Sequence, residues 1–259
     1  IDEKTLKEAI DEIVPNEQGI KLLEIDMTKS EGAKAYEMIL PPGALTAGDA
    51  NININTAIGS ITLPGNMLPD ELTGAKTVSM SIALADKSKL SQELQQRIGD
   101  RPVIELNLKV DGKSYSWSND DVPVTVAIPY TPTEEELRSP EHITVWYIDS
   151  KGNIIEVPSG RYDPETSSVI FSITHFSQFA VVYVTKAFDD LDTVPWARKA
   201  IEVLASKGII RGKTETEYAP QTDISRAEFL YSLVRTLGVT ASFDENFDDI
   251  EIGAYYYKE

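Results

Sequence analysis

Apolar and polar residues alternate along most of the first 184 positions, and a period of two predicts strands. Asn51 to Thr56 places Ile52 and Ile54 on one face and Asn51, Asn53 and Asn55 on the other. Tyr36 to Leu40 and Ile58 to Leu63 alternate likewise, as does Val78 to Leu84, with Val78, Met80, Ile82 and Leu84 on one face. Ile104, Leu106, Leu108 and Val110 predict a further strand, and Asp111-Gly112 is a type I′ hairpin signal leading into Tyr115 and Trp117. Val124, Val126 and Ile128 follow, then runs at 143–148, 154–157, 169–173 and 179–184, with a turn at Lys151-Gly152-Asn153. Short strands separated by turn residues predict one or two antiparallel β-sandwiches. Two stretches depart from alternation. Leu6, Ala9, Ile10 and Ile13 recur at helical spacing, and Ser88 to Ile98 suits a short surface helix ended by Gly99.

After Thr185 the period changes. Trp196, Ala197, Ala200, Ile201, Leu204 and Ala205 form one apolar stripe of a helix expected over 195–207, with Pro195 near its first position and Gly208 as its stop. A second helix, 225–237, has a capping box of Ser225 and Glu228, a hydrophobic staple of Ile224 and Phe229, and Gly238 to close it. The expected class is therefore α+β and multidomain. Residues 1–30 make a helical or strand preface and 31–184 one or more β-sandwich modules; 185–240 form a helical repeat, and 241–259 the truncated start of another. The chain starts at Ile1 and stops inside a motif, so both ends are expected to be cut.

Composition narrows the function. The 259 residues carry a net charge of −18, which argues against nucleic acid or an anionic membrane as partner. With no cysteine there are no disulfides, thiolate zinc sites or cysteine nucleophiles. No apolar stretch reaches the ~20 residues of a membrane span. Asp120-Asp121 and Glu134-Glu135-Glu136 lie in polar loops and read as solvated charge rather than a catalytic pair. No HExxH, GxSxG or phosphate loop is present. An enzyme of which this were the ancillary region, such as a surface polysaccharide-degrading enzyme, would keep its catalytic residues elsewhere. The asparagine ladder at 51, 53 and 55, or Tyr115 with Trp117, offers a sugar platform, though any half-solvated sheet has a polar face. Asp244, Asp248 and Asp249 suit calcium in type but lack the EF-hand spacing, so no cofactor is assigned.

Five sub-motifs stand in order: Phe188-x-Asp190-Leu191, Trp196-Ala197-x-x-Ala200-Ile201, Gly208-Ile209-Ile210-x-Gly212, Tyr218-x-Pro220 and Ile224-Ser225-Arg226-Ala227-Glu228-Phe229. Together they resemble an S-layer homology repeat, with Ser225 where the family usually has threonine. A second copy begins at Phe247-x-Asp249-Ile250 and runs through Tyr255-Tyr256. The resemblance implies a secreted protein of the bacterial cell surface, held non-covalently to the wall. It also implies three repeats in a pseudo-threefold bundle whose grooves take a pyruvylated secondary cell-wall polysaccharide. By that match Arg226 grips the pyruvate carboxylate, at a helix N-terminus that favours anions, and Trp196 stacks on a sugar ring. Asp190 and the Gly212 backbone stand near the groove. Plainer roles stay open: Trp196 as core, Arg226 as solvated charge, Glu228 as cap partner alone. S-layer self-association is a further expected partnership.

Thr174-His175-Phe176-Ser177-x-Phe179-Ala180-Val181-Val182 resembles the closing motif of self-cleaving sandwiches, namely the autoproteolytic (GAIN) domain of adhesion receptors and ZU5-type domains. Val145-Trp146-Tyr147 with Gly152 and Ile154 fits the same layout, as does Leu40 to Leu45 for the ZU5 likeness; the receptors' paired cysteines are absent. The resemblance implies an N→O acyl shift. Ser177 Oγ would attack the Phe176 carbonyl with His175 as general base, water would resolve the ester, and a strained turn would be needed. The alternative is that His175 and Ser177 bond locally while Phe176 and Phe179 fill the sandwich.

Overall fold

A computed structural model describes residues 2–28, 30–46, 48–239, 245–248 and 250–259. Two sheets face one another. The first has the order β1 (Lys21–Asp26), β3 (Ala50–Asn55), β4 (Ser60–Leu63), β8 (Val124–Pro129), β12 (Ser168–Ile173), β11 (Arg161–Asp163). The second runs β10 (Ile154–Val157), β9 (Ile143–Ile148), β13 (Gln178–Tyr183), β6 (Val103–Val110), β5 (Val78–Leu84), β2 (Ala35–Leu40), with β7 (Lys113–Tyr115) also on β6. Among the described residues the pairings are antiparallel except β1 on β3, where Glu24 stands beside Asn53 and Asp26 beside Asn55.

The alternation read from sequence is the alternation of burial: β3 buries every second residue, and β5 buries Val78, Met80 and Ile82 but leaves Leu84 exposed at its end. Ile52, Ile54, Ile61 and Val126 from one sheet meet Met80, Ile82, Leu106 and Val181 from the other in a single core. The strands thus form one sandwich. Helix α1 (Glu3–Asp11), capped by the Asp2 carboxylate on the Thr5 N–H, adds Leu6 and Ile10 to that core. A one-turn helix, α2 (Gly43–Thr46), follows β2. The β6–β7 hairpin has Asp111 at φ 50° and Gly112 at φ 75°, the two positive angles a type I′ turn requires.

The outer face of the second sheet is covered rather than bare. Helix α3 (Gln92–Ile98), expected on the surface, lays Leu94 and Ile98 on Trp146, Ile148, Ala180 and Val182. Two other readings are corrected by burial. Trp117 is 3% exposed and donates its indole N–H to the Met67 carbonyl, so it is no sugar platform. Glu136 is buried, not solvated: Arg101 Nε, the Tyr130 hydroxyl and the Thr133 N–H bind it at 2.8, 2.7 and 2.8 Å. Burial alone would raise its pKa, yet those three donors hold the carboxyl below its ordinary value.

The last segment packs Phe188, Leu191, Val194, Ile201 and Ala205 together. Helix α4 spans Arg198–Ser206, starting later than expected, because the 194–197 turn closed by Ala197 N–H on the Val194 carbonyl holds Pro195 outside it. Helix α5 spans Arg226–Leu237, with the capping box in place and Gly238 at φ 63°.

Candidate functional site

The start of α5 sets the chemistry. Ser225 Oγ accepts from the Glu228 N–H at 3.2 Å, and Glu228 Oε2 accepts from the Ser225 N–H at 2.8 Å. The remaining oxygen, Oε1, pairs with Lys213 Nζ at 2.5 Å. Lys213 first, then the Ser225 donors, hold the Glu228 carboxyl down to about 2. Glu228 therefore caps its helix and pins a cation at once.

That cation stands in a hollow lined by Arg211, Lys213, Tyr218, Asp223, Glu228, Tyr231 and, from the C-terminal stretch, Tyr255. Tyr231 is its floor, 2% exposed, with its hydroxyl donating to the Gly208 carbonyl at 3.0 Å. Arg211 Nε donates to the same hydroxyl at 3.1 Å, and its guanidinium lies 5.7 Å from the Tyr231 ring and 5.4 Å from the Tyr255 ring. Tyr255 meets Tyr231 edge-on at 5.1 Å. Burial works against the Arg211 charge, but the Tyr231 hydroxyl, and beyond it Glu156 and Glu259, leave its pKa raised. Two cations, Arg211 and Lys213, are matched in the lining by two carboxylates, Asp223 and Glu228, and the cations stand beside the tyrosine rings, an arrangement that suits a ligand with a carboxylate and ring faces to stack.

Of the four residues expected at a groove, two stand behind this hollow and two elsewhere. The Asp190 carboxylate accepts from the Tyr218 and Ala219 N–H groups at 3.0 and 2.6 Å, and so shapes the wall; those backbone donors lower its pKa. Gly212 separates Arg211 from Lys213. A Cβ there would lie 2.5 Å from the Phe188 ring and 2.6 Å from the Thr214 carbonyl, so only glycine lets the two cations flank this turn. Trp196 is 87% exposed, not core, and does not line the hollow. Arg226 is exposed at the head of an apolar stripe, Ile224, Phe229, Leu230, Leu233 and Leu237, and shares a second, shallow hollow with the first three. Sequence reasoning missed Arg211, Lys213, Tyr231 and Tyr255. The available signal was two cations astride a glycine that already matched the motif.

His175 is half-buried against aromatic rings. Its ring meets Tyr147 edge-on at 4.4 Å and stacks on Phe179 at 5.9 Å, and burial pushes its pKa down. The Phe176 ring lies 4.7 Å from Trp117, its N–H reaches the Trp117 carbonyl at 3.4 Å, and the Ser177 carbonyl accepts from the Leu106 N–H at 2.9 Å. Neither Phe176 nor Ser177 has a positive φ. Asp244 and Asp249 lie outside the described residues, and Asp248 is exposed. Among the described residues no cluster of three acidic, histidine or cysteine side chains forms, and no helix is long and apolar enough to cross a membrane.

The family model of the S-layer homology domain matches residues 187–230. Over 193 residues the chain is 30% identical to an amylopullulanase of Thermoanaerobacterium thermosulfurigenes, covering 70% of this chain and 10% of that protein. It is 40% identical over 70 residues to endo-1,4-beta-xylanase A of Thermoanaerobacterium saccharolyticum, covering 27% of this chain and 6% of the xylanase. It is 31% identical over 100 residues to exoglucanase XynX of Acetivibrio thermocellus, covering 38% and 9%. The chain therefore spans a tenth or less of the length of each of these relatives.

Proposed function

Because residues 187–230 are an S-layer homology domain, the mark of a secreted cell-surface protein, we propose that the chain anchors its parent to secondary cell-wall polysaccharide. The sandwich serves as spacer or display module. The observation that carries the ligand class is the pair of cations, Arg211 and Lys213, set together over the Tyr231 ring. A polysaccharide bearing pyruvate ketals presents a carboxylate for the cations and ring faces for the tyrosines. Lys213 is held by Glu228 until a ligand carboxylate competes for it. The exposed stripe of α5 is the face on which a neighbouring repeat packs. That packing would bring Arg226, at the head of the stripe, to a groove shared with the neighbour, and Trp196 remains a proposed sugar contact.

The named relatives are polysaccharide-degrading enzymes, which favours a parent whose catalytic domain lies in other sequence, this region being its ancillary anchor. The test is co-sedimentation of the full-length protein with wall sacculi that keep or lack their secondary polysaccharide. Pelleting with the intact sacculi alone supports the anchor. A protein that stays in solution with both overturns it.

A further inference from the structure

The hollow does not stand on the repeat alone. Strand β10 is an edge of the second sheet, and an edge strand leaves carbonyls without a ladder partner. Three cations of the repeat reach this side of the sandwich. Lys199 pairs with Glu141, Lys207 Nζ donates to the Gly160 carbonyl, and Arg235 Nη2 donates to the Glu156 carbonyl at 3.3 Å. Burial pushes the Lys207 ammonium down to about 8, as befits a cation enclosed at a joint.

Two routes lead from Glu156 to the floor of the hollow. Along the first, the Glu156 side chain packs on Gly208, where an added Cβ would lie 3.0 Å from Glu156 Cβ, and the Gly208 carbonyl receives the Tyr231 hydroxyl. Along the second, Arg235 binds the Glu156 carbonyl while its guanidinium lies 5.4 Å from the Tyr231 ring and its Nη1 reaches Glu259 at 3.4 Å. Glu259 belongs to the same terminal stretch as Tyr255, so Arg235 touches the sandwich, the floor and the following motif together. The Glu156 carboxylate also favours the charge on Arg211.

We infer that Arg235 is a positioning residue for the wall-binding hollow, tying Tyr231 to strand β10, with Glu156 as its support on the sandwich. The sandwich is then part of the binding apparatus and not only a spacer. The idea rests on the anchor reading, and one experiment separates the two. Sacculi with and without secondary polysaccharide are titrated with the wild type, Arg235→Met, Arg235→Lys and Glu156→Gln, all full length, while Tyr231 ring signals are followed by NMR without ligand.

Loss of one charged hydrogen bond and one ring contact predicts about tenfold weaker binding for Arg235→Met, with a shifted Tyr231 ring and unchanged sandwich signals. Arg235→Lys, which keeps a cation in reach of the carbonyl, recovers most of that loss. Glu156→Gln, which keeps the carbonyl and the packing, weakens binding by about threefold through Arg211. If the wild type ignores the sacculi, the anchor reading itself fails. If the wild type binds but a folded Arg235→Met binds equally well, the positioning role is overturned. So it is if the lysine variant is as weak as the methionine one. Should Arg235→Met not fold, Glu156→Gly, which removes the side chain packed on Gly208, takes its place, and a folded Glu156→Gly with unchanged affinity and unchanged Tyr231 ring signals overturns the support assigned to the sandwich.

Discussion

The Tyr231 hydroxyl donates to the Gly208 carbonyl at 3.0 Å, joining the middle of α5 to the turn that ends α4. The bond fixes how the two helices meet, and it sets the floor on which Arg211 rests. Gly208 takes part only because its backbone is at φ +67°, where a side chain is disfavoured.

Gly208→Ala is expected to cost about 2–3 kcal/mol, combining the positive φ with a clash against Glu156. Gly238→Ala is the control. Its φ is +63° but an added Cβ would meet nothing within 4 Å, so about 1 kcal/mol is expected. Denaturant unfolding of both variants checks this, and equal losses would show that the sandwich contact contributes nothing.

Removing Arg101 leaves the Glu136 charge enclosed with two neutral donors. Arg101→Met should destabilise the sandwich by about 3–5 kcal/mol, the usual cost of breaking a buried pair on one side. Thermal unfolding monitored by tryptophan fluorescence, from the buried Trp117 and Trp146, reads it, and a loss near zero would mean that Tyr130 and Thr133 suffice.

The Glu228 carboxyl, held to about 2 when folded, links the stability of the repeat to pH. Because the folded pKa lies below the unfolded one, this stabilisation is complete above the unfolded value of about 4.3 and fades as pH falls toward 2. Glu228→Gln should flatten the pH dependence of unfolding between those limits. An unchanged slope there would assign the acid sensitivity to other carboxylates. Ser225→Ala should cost about 1 kcal/mol at neutral pH, from the lost cap.

Trp196, exposed at 87%, should tolerate alanine with under about 0.5 kcal/mol of stability lost. If it stacks on sugar, the same variant should sediment less with intact sacculi. Unchanged sedimentation would remove Trp196 from the proposed contacts.

Prolonged incubation should leave the chain as a single full-length band on a denaturing gel. The His175 ring packs on Tyr147 and Phe179, and the backbone at Phe176 and Ser177 bonds to the neighbouring chain segments. A pair of bands summing to full length, absent in Ser177→Ala, would establish self-cleavage.

Strands and helices were legible in the sequence because their determinants are local. Alternation at Asn51–Asn55 dictates which face is buried, whichever sheet the strand joins. Ser225 and Glu228 sit three residues apart on one turn, so their reciprocal bonds follow from spacing alone. Asp111-Gly112 likewise carries its turn type in its own two residues.

Tertiary structure decided what depends on residues distant in sequence. Glu136 looks like one of three loop carboxylates, and Arg101, 35 positions away, joins Tyr130 and Thr133 in making it a buried anion. Trp117 is set inside by a carbonyl 50 positions earlier. Trp196, patterned as core, is left exposed because α4 begins beyond it. Arg211, Lys213, Tyr231 and Tyr255 come from a loop, a helix and the C-terminal stretch, and no local period announces that they share one hollow. The motif itself, from Phe188 to Phe229, was written in the chain, since a repeat carries its caps, stops and stripe in its own sequence. The support that strand β10 gives through Arg235 could come only from the packing of two units, where non-local burial and charge outweigh any local preference.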